Sequence, residues 1–366
     1  RLQCASETGR GIERQLLENL VNFELFDDDK IVPPFFPIRW QTWFQLFGIE
    51  VKTEQAEDTQ GRSLGYRFQY VLDNLAAGLP KLGPSTFGVD REATMLYKHK
   101  LEALFGDLLP VRLIGASPGF SLTYQIVQLM GMENMFLALY DQPDELHALS
   151  RRITDDFLTY FRFLEAERLL LPCNSYAWLG QGSWGFTTRL PGPRPEDYVR
   201  FDPAPPVRLD ECWGYMDSQE TVGVSPDMFH EHFFPYYREM SACFGLLSYG
   251  CCEPADPLWD ASISQLEHLG KVSISPWCNE EKMGQQLRGK PIIYHRKPSP
   301  NFLGVGYDFD EAGFRSHIEK TMRAASGCHL EFALRDIYTL EGNLEKAKKA
   351  VAIIRELGDK LWTPPG

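Results

Sequence analysis

Cysteine, long apolar runs and basic charge are all scarce in this sequence. Eight cysteines in 366 residues are too few for the disulfide framework of a small secreted domain. No run of about 18 apolar residues occurs, which excludes an ordinary membrane-spanning helix. The chain has 37 Lys and Arg against 50 Asp and Glu, a formal net charge of -13. We therefore expect no nucleic-acid partner and no membrane surface, since both attract basic patches.

The composition is otherwise that of a folded globular protein. Hydrophobic residues make up 43% of the chain and charged residues 24%, which excludes disordered and collagen-like classes. Aromatic residues reach 13%, enough for a large core and an aromatic pocket. Residues 1–10 are polar and carry no hydrophobic segment of a secretion signal. We expect a cytoplasmic protein with thiols rather than disulfides.

Short runs rich in Val, Ile, Leu and Phe recur along the chain, and each is followed by a helical pattern. Eight such strand–helix units predict the α/β class and a (β/α)8 TIM barrel. An open doubly wound sheet is the alternative, but no Gly-rich phosphate motif follows an early run. The predicted strands are Lys30–Pro37, Leu108–Ala116, Leu171–Leu179, Val207–Met216, Phe244–Glu253, Lys271–Cys278, Pro291–Lys297 and Leu330–Ile337.

Residues 1–105 show weak periodicity, and we interpret them as an N-terminal helical extension with the first strand region, packed on a barrel that residues 106–366 complete. The Gly- and Pro-rich segment Gly180–Pro206 has the length of a loop over a pocket. Ser225 and Pro226 form a typical helix start, with a capping hydroxyl followed by proline. A second predicted helix, Asn343–Leu357, carries an apolar stripe of Leu344, Ala347, Val351, Ile354 and Leu357.

Catalytic residues of TIM barrels follow the carboxyl ends of the strands. Cys251, Cys252 and Glu253 end predicted strand five, and Cys278 ends strand six. Thiolates and carboxylates are zinc ligands, so these four residues form a candidate metal site. Packing is the alternative for each thiol, because buried cysteine behaves as a small hydrophobe.

Charged residues also end the other predicted strands. Lys297 follows strand seven, Asp336 follows strand eight, and Asp217 and Glu220 follow strand four. A charge at a strand end is costly to bury without a partner or a substrate. A structural ion pair between Lys297 and Asp336 is the alternative, as is a solvated loop for the other two carboxylates.

Several segments, in this order, resemble the uroporphyrinogen decarboxylase-like superfamily from about Glu92 to the C-terminus. That superfamily shares a TIM-type barrel and includes tetrapyrrole decarboxylases, zinc- and cobalamin-linked methyltransferases and cobalamin-independent methionine synthase. The segments are FGDLLPVRLIGAS (Phe105–Ser117), WGYMDSQETVGVSPDMFHEHFFPY (Trp213–Tyr236), YGCCEP (Tyr249–Pro254), SPWCNEEKM (Ser275–Met283), RKPSP (Arg296–Pro300) and LRDIYT (Leu334–Thr339).

The resemblance implies a methyltransferase that demethylates a small methylated substrate, for example an aryl methyl ether. The methyl group would pass to cobalamin carried by a corrinoid protein, and a homodimer is compatible with this assignment. The decarboxylases carry an N-terminal Met-Arg-Gln-Ala-Gly-Arg stretch that is missing here, where Arg39 is the nearest basic residue. The alternatives are a decarboxylase of a tetrapyrrole or another carboxylate, with Arg296 and Lys297 pairing carboxylates, and a non-catalytic barrel that binds a corrinoid or small ligand.

The resemblance also implies roles for individual residues. Methyltransferases of the superfamily bind zinc through His-x-Cys after strand five and a Cys after strand eight, and here Tyr249 or Gly250 stands in place of the histidine. The zinc ligands would then come from Cys251, Cys252, Glu253 and Cys278, with Asp336 as a further donor, or no metal is bound. The candidate catalytic residues are Glu253, Asp336, Lys297 and Glu220. The candidate substrate-binding residues are Trp213, Tyr249 and Trp277 as an aromatic wall, with His295 and Arg296.

Overall fold

A computed structural model describes residues 2–57, 63–180 and 182–366 of the chain. The chain divides into two compact units. The larger is Phe35–Cys278, and the smaller combines Arg1–Pro34 with Asn279–Gly366. The boundary at residues 105 and 106 expected from the sequence stays a prediction, and residues 58–62 of that extension lie outside the described part of the chain.

Strands and helices alternate through most of the described residues. The strands are β1 (Phe36–Ile38), β2 (Gln41–Gln45), β3 (Thr53–Glu57), β4 (Ser63–Phe68), β5 (Thr86–Asp90), β6 (Val111–Leu113), β7 (Gly119–Phe120), β8 (Trp213–Met216), β9 (Leu246–Tyr249), β10 (Leu269–Ile274), β11 (Ile293–Arg296) and β12 (His329–Phe332).

The α-helices are α1 (Glu7–Val21), α2 (Leu75–Gly78), α3 (Arg91–Phe105), α4 (Leu122–Met130), α5 (Met132–Asp141), α6 (Pro143–Ala166), α7 (Pro226–His232), α8 (Phe234–Ser241), α9 (Glu280–Leu287), α10 (Asn301–Gly304), α11 (Glu311–Ala324) and α12 (Glu345–Leu361). Within the described ranges, no helix is both long enough and apolar enough to cross a membrane.

Parallel pairing dominates the larger unit. Strands β7, β8, β9 and β10 lie side by side in that order, each parallel to the next, and β1 pairs in parallel with β6. All four residues of β9 are buried, as expected for a parallel strand covered on both faces. Two antiparallel pairs, β2 with β5 and β3 with β4, lie earlier in the chain. Parallel strands place their carboxyl ends at one edge, and this positions the candidate site.

In the smaller unit, β11 and β12 pair in parallel, with Ile293 opposite His329. Helices α11 and α12 pack through a core that includes Phe314, Met322 and Ile353. The buried stripe of α12 consists of Ala347, Ala350, Ile353 and Leu357. Ala347 and Leu357 of the predicted stripe are therefore correct, and the two predicted residues between them are each displaced by one position. Leu344, the first predicted member, is 52% exposed.

The mixed α/β class is confirmed, whereas a closed eight-stranded barrel stays a prediction. Seven of the eight predicted strand segments overlap an observed strand. The predicted capped helix is also confirmed, since the Ser225 hydroxyl accepts the backbone N–H of Met228 at 3.3 Å. The N-terminal extension contains more strands than expected, because β2 to β5 lie within residues 1–105 in addition to β1 of the predicted first strand region. Aromatic and β-branched residues such as Thr42, Trp43 and Phe44 favour extended backbone in that region.

The predicted strand Leu171–Leu179 is wrong, because the segment is irregular with only one isolated bridge among its described residues. Pro172 has no N–H to donate to a strand ladder. The carbonyl oxygens of Asn174 and Ala177 accept N–H groups from the following loop, each at 2.9 Å. That loop is the predicted Gly180–Pro206 segment, whose Gln181 lies outside the described residues.

Candidate active site

The candidate site lies where β8 and β9 end. Asp217, Ser218 and Glu220 follow β8, and the bend containing Glu253 follows β9. Because β8 and β9 are parallel neighbours, both segments emerge at the same edge of the sheet. The three carboxyl groups are all buried.

Glu253 is the most thoroughly enclosed of these carboxyl groups, at 3% exposure. One oxygen, Oε1, accepts the backbone N–H of Ser218 at 3.0 Å, and Oε2 accepts that of Cys251 at 2.8 Å. Two amides from two different strand ends therefore fix the orientation of the side chain. An oxygen that carries a proton keeps a lone pair, so these contacts suit both protonation states.

Burial, with a smaller contribution from the nearby Asp217 carboxylate, raises the pKa of Glu253 to about 7. The hydrogen bonds from Ser218 and Cys251 act in the opposite direction, because they stabilise the carboxylate. The balance leaves a carboxylic acid that still holds its proton in a good fraction of molecules near neutral pH. This is the property of a general acid.

Asp217 is held by two tyrosines. The Tyr215 hydroxyl donates to Oδ2 of Asp217 at 2.8 Å, and the Tyr237 hydroxyl donates to its backbone carbonyl at 2.6 Å. Burial raises the pKa of both tyrosines well above the ordinary range, and Asp217 contributes to each shift. Both phenols therefore remain protonated donors that anchor the end of β8.

Glu220 is buried against helix α4. Its Oε2 accepts the hydroxyl of Thr123 at 2.8 Å. Burial raises the pKa of Glu220, the Asp217 charge adds to the rise, and the Thr123 hydrogen bond lowers it. Glu253 and Glu220 thus share an acidic environment with raised pKa values, and the predicted pair of carboxyl groups does lie in one region.

The described residues do not fit the predicted zinc ion. Both oxygens of Glu253 accept backbone amides, and the Cys278 sulfur accepts the N–H of Ala255 at 3.2 Å. Within residues 2–57, 63–180 and 182–366, no group of three or more His, Cys, Asp or Glu side chains is arranged to hold a metal ion. The sulfurs of Cys251 and Cys252 lie 3.5 Å apart.

The three predicted aromatic wall residues lie in different environments. Trp213 is buried and donates its indole N–H to the Gly185 carbonyl at 3.0 Å. Tyr249 is also buried, and its hydroxyl shares a 2.6 Å hydrogen bond with Ser218. Trp277 is 68% exposed. Of these three residues, only Tyr249 is linked to the carboxylate cluster. The link is its hydrogen bond to Ser218, whose backbone N–H donates to Glu253.

Four other predicted residues belong to the smaller unit. Arg296 is fully buried, and His295 lies 3.3 Å from the Glu331 carboxylate. Lys297 is buried as well, and Asp336 adopts a left-handed backbone conformation with φ 61°. The predicted roles of these four residues in binding or catalysis stay predictions.

The Arg296 guanidinium is engaged by a buried network. It lies 3.0 Å from Glu280 Oε1, and its Nε donates to the Thr321 hydroxyl at 3.2 Å. Its Nη2 also lies 3.2 Å from His317 Nε2. Burial, together with the positive charges of Arg296 and Lys320, lowers the pKa of His317 to about 4. The imidazole therefore acts as a neutral acceptor in this network.

Sequence reasoning missed the residues that hold the carboxyl groups. Thr123 comes from α4, Tyr237 from α8, and Ser218 contributes a backbone amide. Ser218 could have been found from the sequence, because it lies with Gln219 and Glu220 shortly after a predicted strand. Thr123 lies 97 positions from its partner within an ordinary helix, and nothing local in the sequence distinguishes it.

A separate surface depression of about 510 Å³ lies on the outer side of α7 and α8. His230, Phe234 and Arg238 are among its lining residues. None of the candidate residues lines it, so it is distinct from the carboxylate cluster.

The sequence matches no protein-family model, and no protein with a curated description matches it. Among solved structures, the fold is similar to that of a methyltransferase from Methanosarcina mazei, with a TM-score of 0.50 and 12% identity. The match covers 94% of this chain and 85% of the other. A likeness at this identity concerns the fold: it agrees with the α/β class predicted from the sequence, and it brings no residue assignment with it.

Proposed function

We propose that this protein is a methyltransferase that cleaves the methyl–oxygen bond of a small methyl ether, such as an aryl methyl ether. The methyl acceptor is a corrinoid carried by a partner protein. The fold likeness to a methyltransferase supports this assignment in outline. The observation that carries it is the buried, proton-holding carboxyl group of Glu253.

Cleavage of a methyl ether leaves an electron pair on the oxygen, and a proton delivered to that oxygen makes it a better leaving group. Glu253 is suited to deliver it, because its raised pKa keeps a proton available near pH 7. The amides of Ser218 and Cys251 hold the carboxyl group before and after proton transfer. The reduced corrinoid supplies the nucleophile that accepts the methyl group.

Asp217 tunes this acid. The Asp217 charge raises the pKa of Glu253 and of Glu220. The hydroxyl of Tyr215 holds Asp217 in place. A second acidic group with a raised pKa beside the first offers a route for replacing the proton after each turnover, and we assign this role to Glu220.

The tetrapyrrole decarboxylase alternative gains no support from the basic residues that would pair with substrate carboxylates. The Arg296 guanidinium is buried against Glu280, Thr321 and His317. A multiply charged substrate needs exposed, converging guanidinium groups.

The test is methyl transfer from a panel of methoxyarenes to reduced cobalamin, followed by the absorbance of methylcobalamin. We expect turnover with the full chain and a loss of about 100-fold or more in Glu253→Gln, the usual contribution of a general acid. The matched control is Glu231→Gln on α7, which replaces an exposed carboxylate and should leave the rate unchanged.

The leaving group provides a second test of the acid. A methoxyarene with a cyano group releases a more stable phenolate and needs less protonation, so Glu253→Gln should slow it much less than it slows the unsubstituted ether. Equal losses for both ethers would contradict the acid role of Glu253. Release of carbon dioxide from a porphyrinogen without methyl transfer would replace the proposal with the decarboxylase.

A further inference from the structure

Two adjacent cysteines have their sulfurs on the same side of the chain. Successive side chains of an extended strand point to opposite faces, yet the sulfurs of Cys251 and Cys252 lie only 3.5 Å apart. The chain bends directly after β9, where Gly250 has a φ of 99°. A side chain at that position would come within 3.0 Å of Ser273, so glycine permits the bend that brings the two thiols together.

The two thiols differ in how firmly they are held. The backbone of Cys251 is fixed on both sides: its N–H donates to Glu253 at 2.8 Å, and its carbonyl accepts the Ser273 hydroxyl at 2.7 Å. The Cys251 side chain is buried, whereas Cys252 is partly exposed. A reagent in solution therefore reacts with the Cys252 thiol first. The buried Cys251 thiol then lies close enough to attack the sulfur of Cys252.

We infer that Cys251 and Cys252 form a vicinal dithiol site that closes reversibly to a disulfide through exchange with a small disulfide such as oxidised glutathione. The Cys252 thiolate attacks one glutathione sulfur and releases the first glutathione as a thiol. The Cys251 thiolate then attacks the Cys252 sulfur and releases the second. The two protein thiols are oxidised, one glutathione disulfide is reduced, and the two protons pass to the released glutathiones.

Adjacency makes this disulfide readily reversible. Neighbouring Cα atoms lie about 3.8 Å apart across a trans peptide, below the usual Cα separation of about 4.4–6.8 Å for disulfides. The sulfurs must also approach by about 1.5 Å to reach bonding distance. Strained disulfides are easily reduced and act as labile, regulatory bonds.

The site is coupled to Glu253 through the backbone. Closing the ring twists the peptide between the two cysteines, and the N–H of Cys251 is one of the two amides that hold the Glu253 carboxyl group. The thiol chemistry does not depend on the proposed methyl transfer. The experiment therefore reads thiols directly, and its failure would leave the proposed function standing.

The test treats the reduced full-length protein with a series of glutathione redox buffers, followed by thiol counting and peptide mapping by mass spectrometry. Of the eight cysteines, we expect two to be lost together, with a bond between Cys251 and Cys252, no retained glutathione, and full recovery with dithiothreitol. A trivalent arsenical, which bridges two close thiols with loss of water, should bind to the Cys251–Cys252 peptide of the reduced chain and not to that of the oxidised chain. The thiols of Cys173 and Cys212 are also in contact, but both are fully buried.

Cys252→Ser should abolish both the paired thiol loss and the arsenical binding, because it replaces the thiol by a hydroxyl group while keeping a side chain of similar size. The matched control is Cys243→Ser, which removes another partly exposed thiol and should preserve both. A stable glutathione adduct on Cys252 in the wild-type protein would overturn the inference, as would arsenical binding that survives in Cys252→Ser. Absence of any thiol loss across the redox series would overturn it too.

Discussion

The two units bury carboxylates in two different ways. In the smaller unit, Glu280 lies 3.0 Å from the guanidinium of the fully buried Arg296. In the larger unit, Glu253 is held by two backbone amides and lies near the like charge of Asp217. A cation offsets the cost of burying a carboxylate, whereas burial beside a negative charge, only partly offset by two amides, leaves Glu253 holding a proton. The first arrangement suits a structural role and the second suits proton transfer.

Removing the cation should have the largest effect on stability. Arg296→Met leaves the Glu280 carboxylate buried without its guanidinium, and we expect a loss of about 3–5 kcal/mol in the free energy of unfolding. Urea denaturation measures it. The matched control is Arg323→Met, whose side chain is 68% exposed and 4.0 Å from Glu319, where the expected loss is about 0–1 kcal/mol.

The double variant Arg296→Met with Glu280→Leu sharpens this result. Replacing both members of a buried pair by apolar residues removes the unpaired charge, so we expect most of the lost stability to return. If the single variant costs no more than the exposed control, the pair is not structural and the contrast between the two units fails.

The raised pKa of Glu253 in the larger unit should make the free energy of unfolding fall as the pH rises. The pKa of Glu253 is raised from 4.5 to about 7, so the folded chain binds a proton in this range that the unfolded chain releases. This contribution is fully present below about pH 4.5 and is lost as pH rises through 7, on the order of 3 kcal/mol. Urea denaturation at pH 5 and pH 8 measures this contribution. Between pH 5 and pH 8 the free energy of unfolding should fall more in the wild-type protein than in Glu253→Gln, and Glu231→Gln should behave like the wild type.

The network in the smaller unit should respond to pH with the opposite sign. The pKa of His317 is lowered to about 4, so the folded chain resists a proton that the unfolded chain binds below about pH 6.5. Its contribution is present above pH 6.5 and is lost as pH falls through 4, on the order of 2 kcal/mol because the ring is partly solvated. His317→Gln keeps an acceptor for Arg296 and removes the titration, so the variant should be less sensitive to acid than the wild type. An imidazole that titrates near 6.5 by NMR would contradict this.

The strands that carry the site could be predicted because parallel strands covered on both faces are short apolar runs. Strands β8, β9 and β11 lie within predicted segments, and β10 and β12 overlap theirs but begin two and one residues earlier. The run at Leu171–Leu179 is equally apolar, but the sequence does not reveal that its carbonyls bond to the following loop. Apolar character predicts burial, whereas strand pairing depends on partners far away in the chain.

The same limit applies to the candidate site. Glu253 and Glu220 were predicted from their positions after strands, and the structure brings them into one acidic region. Their raised pKa values depend on burial and on Asp217, which are properties of the folded chain. Arg296 was selected by the same positional rule, whereas its buried contact with Glu280 could not be read from the sequence.

The smallest expected effect concerns the hydroxyl that supports Glu220 in place of a cation. Thr123→Val keeps the shape of this buried side chain and removes its 2.8 Å hydrogen bond to the carboxyl group. We expect a loss of about 1–2 kcal/mol at pH 8 and a smaller loss at pH 5, because the raised pKa of Glu220 makes this carboxylate take up a proton earlier than usual as the pH falls, and the bond then ceases to be charge-assisted. Denaturation of Thr123→Val and of the exposed control Thr159→Val at both pH values measures the difference. A cost that does not change with pH would mean that the hydroxyl serves packing, and that Glu220 is not the second titrating member of the cluster.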